Sequence, residues 1–398
     1  MEVFERPTLA QVFRRFYARY RQSSDVTAEQ RRAAWSIQVC RTPALGEDRW
    51  ECEHCQQTHT VYHSCGNRHC PICQGSRSYA WLERQQERLL PVTYFHVVFS
   101  VASELNLVML YNRKLLFQEF FAQSSATLRD FGRDPRWLGA QLGFLGVLHT
   151  WGQTLIFHPH IHYIVPQGGI DAEGRWVSPR LKDQARFLFP IQAVSEVFRG
   201  RFLHRLEQLH AQGKLRFPDP AAESRFPDQL RLAASKPWQV YAQAPFAGPE
   251  PLFRYLSLYT HRAAISSGRL LECDDRSVSF AYKDYRQGGQ TKTMRLGGEV
   301  FVGRFLQHVA PKGFRRIRHY GFLANAAGRE ALRQVQEQWL SRVLILLAVV
   351  GRLGPLLEEG SGAQPGPGDW TPVCPFCGQG PLRYLPKRLE RVRPEDSS

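Results

Sequence analysis

From residue 157 to residue 163 apolar and polar positions alternate, and the polar positions His158, His160 and His162 are all histidine. Successive residues of a strand point to opposite faces, so this period of two predicts a strand over 158–166 with its imidazoles on one side. The preceding apolar run Gly143-Phe144-Leu145-Gly146-Val147-Leu148 ends at His149 and predicts a neighbouring strand over 142–149. Two more strand patterns fall near 93–100, with Tyr94, Phe95, Val97, Val98 and Phe99, and near 238–244. Gln167-Gly168-Gly169 and Gly174-Arg175-Trp176 mark one hairpin. A second is expected over 274–286, where Val278, Phe280 and Tyr282 alternate.

Elsewhere the period lengthens to that of a helix. Leu9, Val12, Phe13, Phe16, Tyr17 and Tyr20 define a first helix, and Ser23-Ser24-Asp25 interrupts it. Thr27 followed by Gln30 is a capping box for a second helix running to Cys40. Helical patterns recur over 103–130, with Asn112-Arg113-Lys114 on its surface, over 194–211, from about residue 250, and over 329–350. Residues 180–234 read as a helical insertion that includes a Pro- and charge-rich loop at 217–228, and residues 360–369 have the composition of a flexible linker. No internal repeat is visible. The expected division is a module of helices and metal knuckles over 1–90, a larger domain over 91–358 and a tail over 359–398. The fold class expected is α+β.

A length of 398 residues allows one large or two modest cores, and 43% hydrophobic with 12% aromatic residues describes a folded chain. The formal charge of +16 and a pI near 9.7 make an anionic polymer the expected partner. Arginine carries most of that charge, and its planar fork suits phosphate. No apolar run reaches the roughly 18 residues of a membrane span. The first residues lack the basic start and apolar core of a signal peptide. A reducing, cytosolic compartment is therefore expected, in which clustered cysteines serve as metal ligands.

Cys52-Glu53-His54-Cys55 and Cys70-Pro71-Ile72-Cys73 are CxxC knuckles separated by fourteen residues, which predicts a zinc ribbon built on all four thiolates. Cys40, His63, Cys65 and His69 lie around it, either to exchange with those ligands or to build a second site with Cys40 and Cys65. Cys374-Pro375-Phe376-Cys377 is a lone knuckle whose two thiolates need partners from elsewhere. His160 and His162 form a fixed imidazole pair for a metal ion, and His149 could bring a third ligand from the adjoining strand. Tyr255 and Tyr259 are four apart and project from one helix face, flanked by Arg254 and Arg262. Lys312, Arg315, Arg316, Arg318 and His319 form the densest basic run, read as phosphate contacts or as an exposed face.

Three of these stretches resemble one family. His158-Pro159-His160-Ile161-His162 resembles the HUH motif of rolling-circle nucleases, and Arg254-Tyr255-Leu256-Ser257-Leu258-Tyr259-Thr260-His261-Arg262 resembles the paired-tyrosine motif of two-tyrosine HUH transposases. Residues 64–73 look like the zinc-binding N-terminal domain of the same bacterial insertion-sequence transposases, the IS91 group, as do Tyr282-Lys283-Asp284-Tyr285-Arg286 and residues 319–325. The resemblance implies an antiparallel sheet flanked by helices, with the histidine strand central and a helical segment and zinc ribbon before it. It implies transfer of single-stranded DNA at element ends and targets through a 5′-phosphotyrosine on Tyr255 and Tyr259, in a bacterial protein associated with the nucleoid. It further implies Mg or Mn on His160 and His162. Related relaxases favour His149 as third ligand, with His158 and Gln153 as alternatives. Arg254, Arg262, Arg315 and Arg316 are the expected DNA contacts, and zinc is structural. A plasmid replication initiator or relaxase, or a zinc-ribbon DNA-binding protein without catalysis, is the competing reading.

Overall fold

The computed structural model of the chain describes residues 6–74, 81, 90–179, 187–242, 263–324, 328, 330–337, 339 and 373–385. Helix α1 (Leu9–Ser23) begins at a capping box in which Thr8 Oγ1 accepts the Gln11 N–H at 3.2 Å and Gln11 Oε1 accepts the Thr8 N–H at 2.6 Å. Helix α2 (Ala28–Val39) repeats the device with Thr27 and Gln30. Each box satisfies N–H groups that a helix start otherwise leaves bare.

The strands in chain order are β1 (Glu47–Cys52), β2 (Thr58–Tyr62), β3 (Tyr94–Ser100), β4 (Phe144–Trp151), β5 (Phe157–Pro166), β6 (Gly169–Ile170), β7 (Trp176–Val177), β8 (Val240–Ala242), β9 (Leu270–Cys273), β10 (Ser277–Asp284), β11 (Gln290–Gly297), β12 (Ile317–Tyr320) and β13 (Leu382–Leu385). Between them lie α3 (Asn106–Tyr111), α4 (Arg113–Arg133), α5 (Ile191–Ala211), α6 (Pro220–Ser224), α7 (Phe226–Ser235) and α8 (Gly298–Leu306). The molecule is α+β, as its alternating and helical stretches predict.

The main sheet has the order β12-β4-β5-β3-β8 with every pair antiparallel, so the histidine strand β5 is central. One face carries Phe95, Val97, Phe99, Phe144, Leu148, Ile161, Tyr163 and Val165 and packs on α3, α4, α5 and α7 to form the largest core. Tyr163 lies across β4 at Gly146, where an added Cβ would meet its ring at 2.6 Å, and its hydroxyl bonds Ser124 Oγ at 2.7 Å. Glycine is required there by the close approach. The other face carries the smaller apolar cluster of Tyr94, Leu145, Val147 and Ile164, together with the histidines.

A second core joins α1, α2 and α8 to β9, β10 and β11. The β4–β5 turn plugs into it through Leu155, which has φ +59° and is fully buried. His308 and Arg304 donate to the turn carbonyls of Leu155 and Thr154, each at 3.1 Å, and Arg269 donates to that of Gln153. The small sheet runs β13-β1-β2, so the C-terminal strand completes the sheet of the N-terminal hairpin across the boundaries expected at 90 and 358.

Three local expectations are corrected. Residues 274–276 turn between β9 and β10, and β10 pairs antiparallel with both β9 and β11, so the stretch expected as a hairpin is the turn and middle strand of a three-stranded sheet. The loop expected at 217–228 holds α6 and the start of α7, because Asp219 Oδ1 caps the Ala222 N–H at 2.7 Å and Pro220 and Pro227 occupy first-turn positions that need no donor. Asn112 and Arg113 are not on a free helix surface. Asn112 is buried, bonding the backbone N–H and carbonyl of Arg216 at 2.9 and 2.8 Å, while Arg113 donates to the carbonyls of Gln307 and Val309. Of the helix expected over 329–350, residues 330–337 are described and helical, whereas the tyrosine helix expected from about residue 250 lies outside the described residues. Among the described residues no helix is long and apolar enough to cross a membrane.

Candidate metal centres

On β5 the side chains of His160 and His162 share a face, and His149 on β4 stands directly opposite His160. The three rings offer ligand nitrogens all within 4.8 Å of one another. Their centroids are 5.6 Å (His149–His160), 4.6 Å (His149–His162) and 4.8 Å (His160–His162) apart. His160 Nδ1–H donates to the His158 carbonyl at 2.7 Å, which leaves the Nε2 lone pair for a cation. His162 Nδ1 bonds His96 Nε2 at 2.8 Å with the rings nearly coplanar, so its Nε2 is the nitrogen turned to the cluster. His149 lies flat against Trp151, centroids 4.7 Å apart.

Burial holds the rings of His160 and His162 neutral, the form that binds metal. The His160 pKa is pushed down to about 4 by burial and then by its imidazole neighbours, and that of His162 falls well below the ordinary value for the same reasons. Three converging imidazoles, two of them held neutral by burial, fit a divalent cation that keeps open positions for phosphate and water. His158 is exposed and Gln153 is engaged elsewhere, its Oε1 accepting the Lys283 N–H at 3.4 Å; neither joins the converging set.

The basic run divides. Lys312 and Arg315 are exposed, whereas Arg318 lies over the Phe121 ring at 4.3 Å and Arg316 over Trp151 at 5.9 Å. Burial, then the charge of Arg68, lowers the Arg316 pKa to about 10, so it stays cationic at neutral pH, with the Trp151 ring between it and His149 of the imidazole cluster. Tyr255, Tyr259, Arg254 and Arg262 lie outside the described residues.

The cysteines form two tetrads, and the pairing of Cys52 and Cys55 with Cys70 and Cys73 is corrected. Cys70 and Cys73 converge with Cys40 and Cys65, while Cys52 and Cys55 converge with Cys374 and Cys377. Sulfur–sulfur distances are 3.5 Å (Cys40–Cys73), 3.6 Å (Cys65–Cys73), and 3.7 Å for both Cys52–Cys377 and Cys55–Cys374. Zn–S bonds of about 2.3 Å set the sulfurs of a tetrahedral site about 3.8 Å apart, whereas a disulfide needs about 2.05 Å. In the first tetrad a hydrogen bond from the Cys65 thiol draws Cys70 down to about 5, and burial pushes Cys40 up to about 12. Four thiolates cannot coexist there unless a cation compensates them. His69 is not a ligand in this arrangement: it is buried, and its Nε2 accepts the Ala310 N–H at 3.3 Å.

His96 is absent from the sequence-based expectation. The signal that finds it is parity, since it pairs with Ile164 and therefore shares the face of His162.

Residues 143–331 match the family model described as "Putative transposase", and residues 12–101 match "Transposase zinc-binding domain". The chain is 40% identical over 340 residues to "Putative transposase y4qJ" of Sinorhizobium fredii, covering 83% of this chain and 84% of that one. It is 29% identical over 307 residues to the "Transposase for insertion sequence element IS801" of Pseudomonas savastanoi pv. phaseolicola, covering 75% and 71%. No solved structure matches the chain. The first matched span includes all three clustered histidines, and the second contains the tetrad of Cys40, Cys65, Cys70 and Cys73.

Proposed function

This chain belongs to the insertion-sequence transposases of the IS91 type with an N-terminal zinc-binding domain, and from that premise we propose that it nicks and rejoins single-stranded DNA through a tyrosine-linked intermediate. The observation that carries the proposal is the convergence of the His149, His160 and His162 nitrogens within 4.8 Å on the central strand pair. These residues would hold Mg or Mn. When bound, such a cation polarises a scissile phosphate and offsets its developing charge.

In this reading Tyr255 and Tyr259 are the nucleophiles. A phenol has a pKa near 10 and attacks poorly at neutral pH without such activation. The phenol oxygen bonds to phosphorus as its proton leaves, the P–O3′ bond breaks, and the departing oxygen takes up a proton to become a free 3′ hydroxyl. The 5′ end stays on the tyrosine with the energy of the diester conserved, so rejoining needs only attack by a 3′ hydroxyl, and no nucleotide triphosphate. A second tyrosine lets another strand be attacked while the first remains loaded. Arg254, Arg262, Arg315 and Arg316 would contact the DNA backbone, and Arg316 lies over Trp151, whose ring stacks on His149. Cys40, Cys65, Cys70 and Cys73 would hold a structural zinc ion that shapes the DNA-gripping module.

The test incubates the protein, with Mg or Mn, with end-labelled single-stranded DNA from an element terminus. A protein–DNA adduct that survives denaturation is expected, and it disappears in the double variant Tyr255→Phe with Tyr259→Phe. An adduct of undiminished yield in that variant rules out the tyrosines. An adduct unaffected in His160→Ala with His162→Ala rules out the metal site, and wild-type protein that binds DNA without any adduct points to a non-catalytic DNA-binding protein.

A further inference from the structure

Of the nine cysteines only Cys273 stands apart from the two tetrads. The first tetrad is local, its ligands all falling between residues 40 and 73. The second is not, because it takes Cys52 and Cys55 from the N-terminal hairpin and Cys374 and Cys377 from a segment more than three hundred residues further on. We propose that Cys52, Cys55, Cys374 and Cys377 bind a second structural zinc ion, which fastens the C-terminal knuckle to the N-terminal module.

The two knuckles have the same turn. The Gln56 N–H bonds the Cys52 carbonyl at 2.9 Å with Gln56 at φ +56°, and the Gly378 N–H bonds the Cys374 carbonyl at 2.9 Å with Gly378 at φ +68°. In each, the residue after the second cysteine takes the left-handed conformation, which turns both thiols inward. The backbone then aligns one knuckle with the other. β13 pairs antiparallel with β1, placing Cys52 opposite Leu382, and the Glu53 N–H reaches the Pro381 carbonyl at 3.3 Å. Gly380 lies so close that a Cβ there would sit 2.7 Å from Cys52 Sγ. His59 brings Nε2 to 3.3 Å from Cys374 Sγ and stacks on Phe376 with centroids 4.8 Å apart, so an imidazole N–H is positioned to bond a ligating sulfur. An all-sulfur tetrad with this spacing selects zinc over magnesium or manganese, which prefer oxygen ligands.

The small sheet has little apolar interior of its own. Val61, Phe376 and Tyr384 are exposed, and its buried contacts gather around the sulfurs. A metal ion is therefore the natural means of holding a tail strand onto a hairpin so distant in sequence.

Metal analysis of the full-length protein is expected to find two zinc ions per chain, falling to one in Cys374→Ser with Cys377→Ser. A wild-type content of one, or a variant that keeps two, overturns the proposal. Should the variant fail to fold, thiol labelling of the wild type decides. Cys52, Cys55, Cys374 and Cys377 should react about tenfold more slowly before chelation than after it, and become reactive together. Thiols at 374 and 377 that label at the same rate with or without chelator, or that are found as a disulfide, reject the site. These readouts do not depend on DNA cleavage, so they stand or fall apart from the nuclease reading.

Discussion

His96 holds the far nitrogen of His162 at 2.8 Å, and that contact decides which way a ligand ring faces. Losing the outer partner of a metal-binding imidazole typically weakens metal affinity by about 10–100-fold. His96→Ala should therefore weaken Mn binding by about that factor, as measured by titration of zinc-loaded protein, and His96→Gln should recover part of it. An unchanged Mn affinity in the alanine variant would remove His96 from the site. At this scale the sequence was informative wherever ligands share a strand or its neighbour. The alternation over residues 157–163 put His160 and His162 on one face, and the apolar run ending at His149 supplied the adjacent strand. Cysteine spacing misleads because the knuckles nearest in sequence are not partners in space. The actual neighbours of Cys52 and Cys55 arrive on a tail strand whose pairing with β1 leaves no periodic trace.

The β4–β5 hairpin links the histidine strand to the second core, and its turn depends on contacts from other elements. Leu155 adopts a left-handed conformation that costs a non-glycine residue about 1–2 kcal/mol, and the donors from Arg269, Arg304 and His308 hold it in place. His308 is buried, with Nε2–H on the Leu155 carbonyl and Nδ1 3.2 Å from Thr150 Oγ1, and burial lowers its pKa to about 4. The sign follows from which state binds the proton. Between pH 6.5 and 4 the unfolded chain protonates this histidine and the folded chain does not, so its contribution is full above pH 6.5 and is lost as pH falls through that window. Wild type should lose up to about 1.4 kcal/mol per pH unit more than His308→Gln there. Urea unfolding of both proteins at pH 7, 6 and 5 checks this, with the shared metal contributions cancelling, and parallel curves would exclude a neutral buried His308. Helix and strand periods gave most elements, but not Asn112 and Arg113, whose burial depends on the backbone of Arg216, Gln307 and Val309 docking on them. Nor did they give α6, since Pro220 reads as a loop former until Asp219 is recognised as its cap.

The whole molecule divides its labour between the two faces of the main sheet. One face is committed to the large core, and the imidazoles lie on the other, with the cationic Arg316 close by. A charge of +16 over 398 residues adds a long-range attraction for DNA that none of these contacts supplies alone. The two contributions separate by salt. Each neutralised phosphate of single-stranded DNA contributes about −0.7 to the slope of log K against log salt, so a groove engaging about six phosphates gives a slope near −4. Binding of a single-stranded terminus, measured by anisotropy from 50 to 300 mM salt without added divalent cation, should show that steepness. Because Arg315 is exposed, Arg315→Ala should make the slope shallower by close to one phosphate if it contacts the strand. A slope flatter than about −1 for wild type would mean that the positive field is not used on DNA. Recognition would then have to come from stacking and base contacts, which salt affects little.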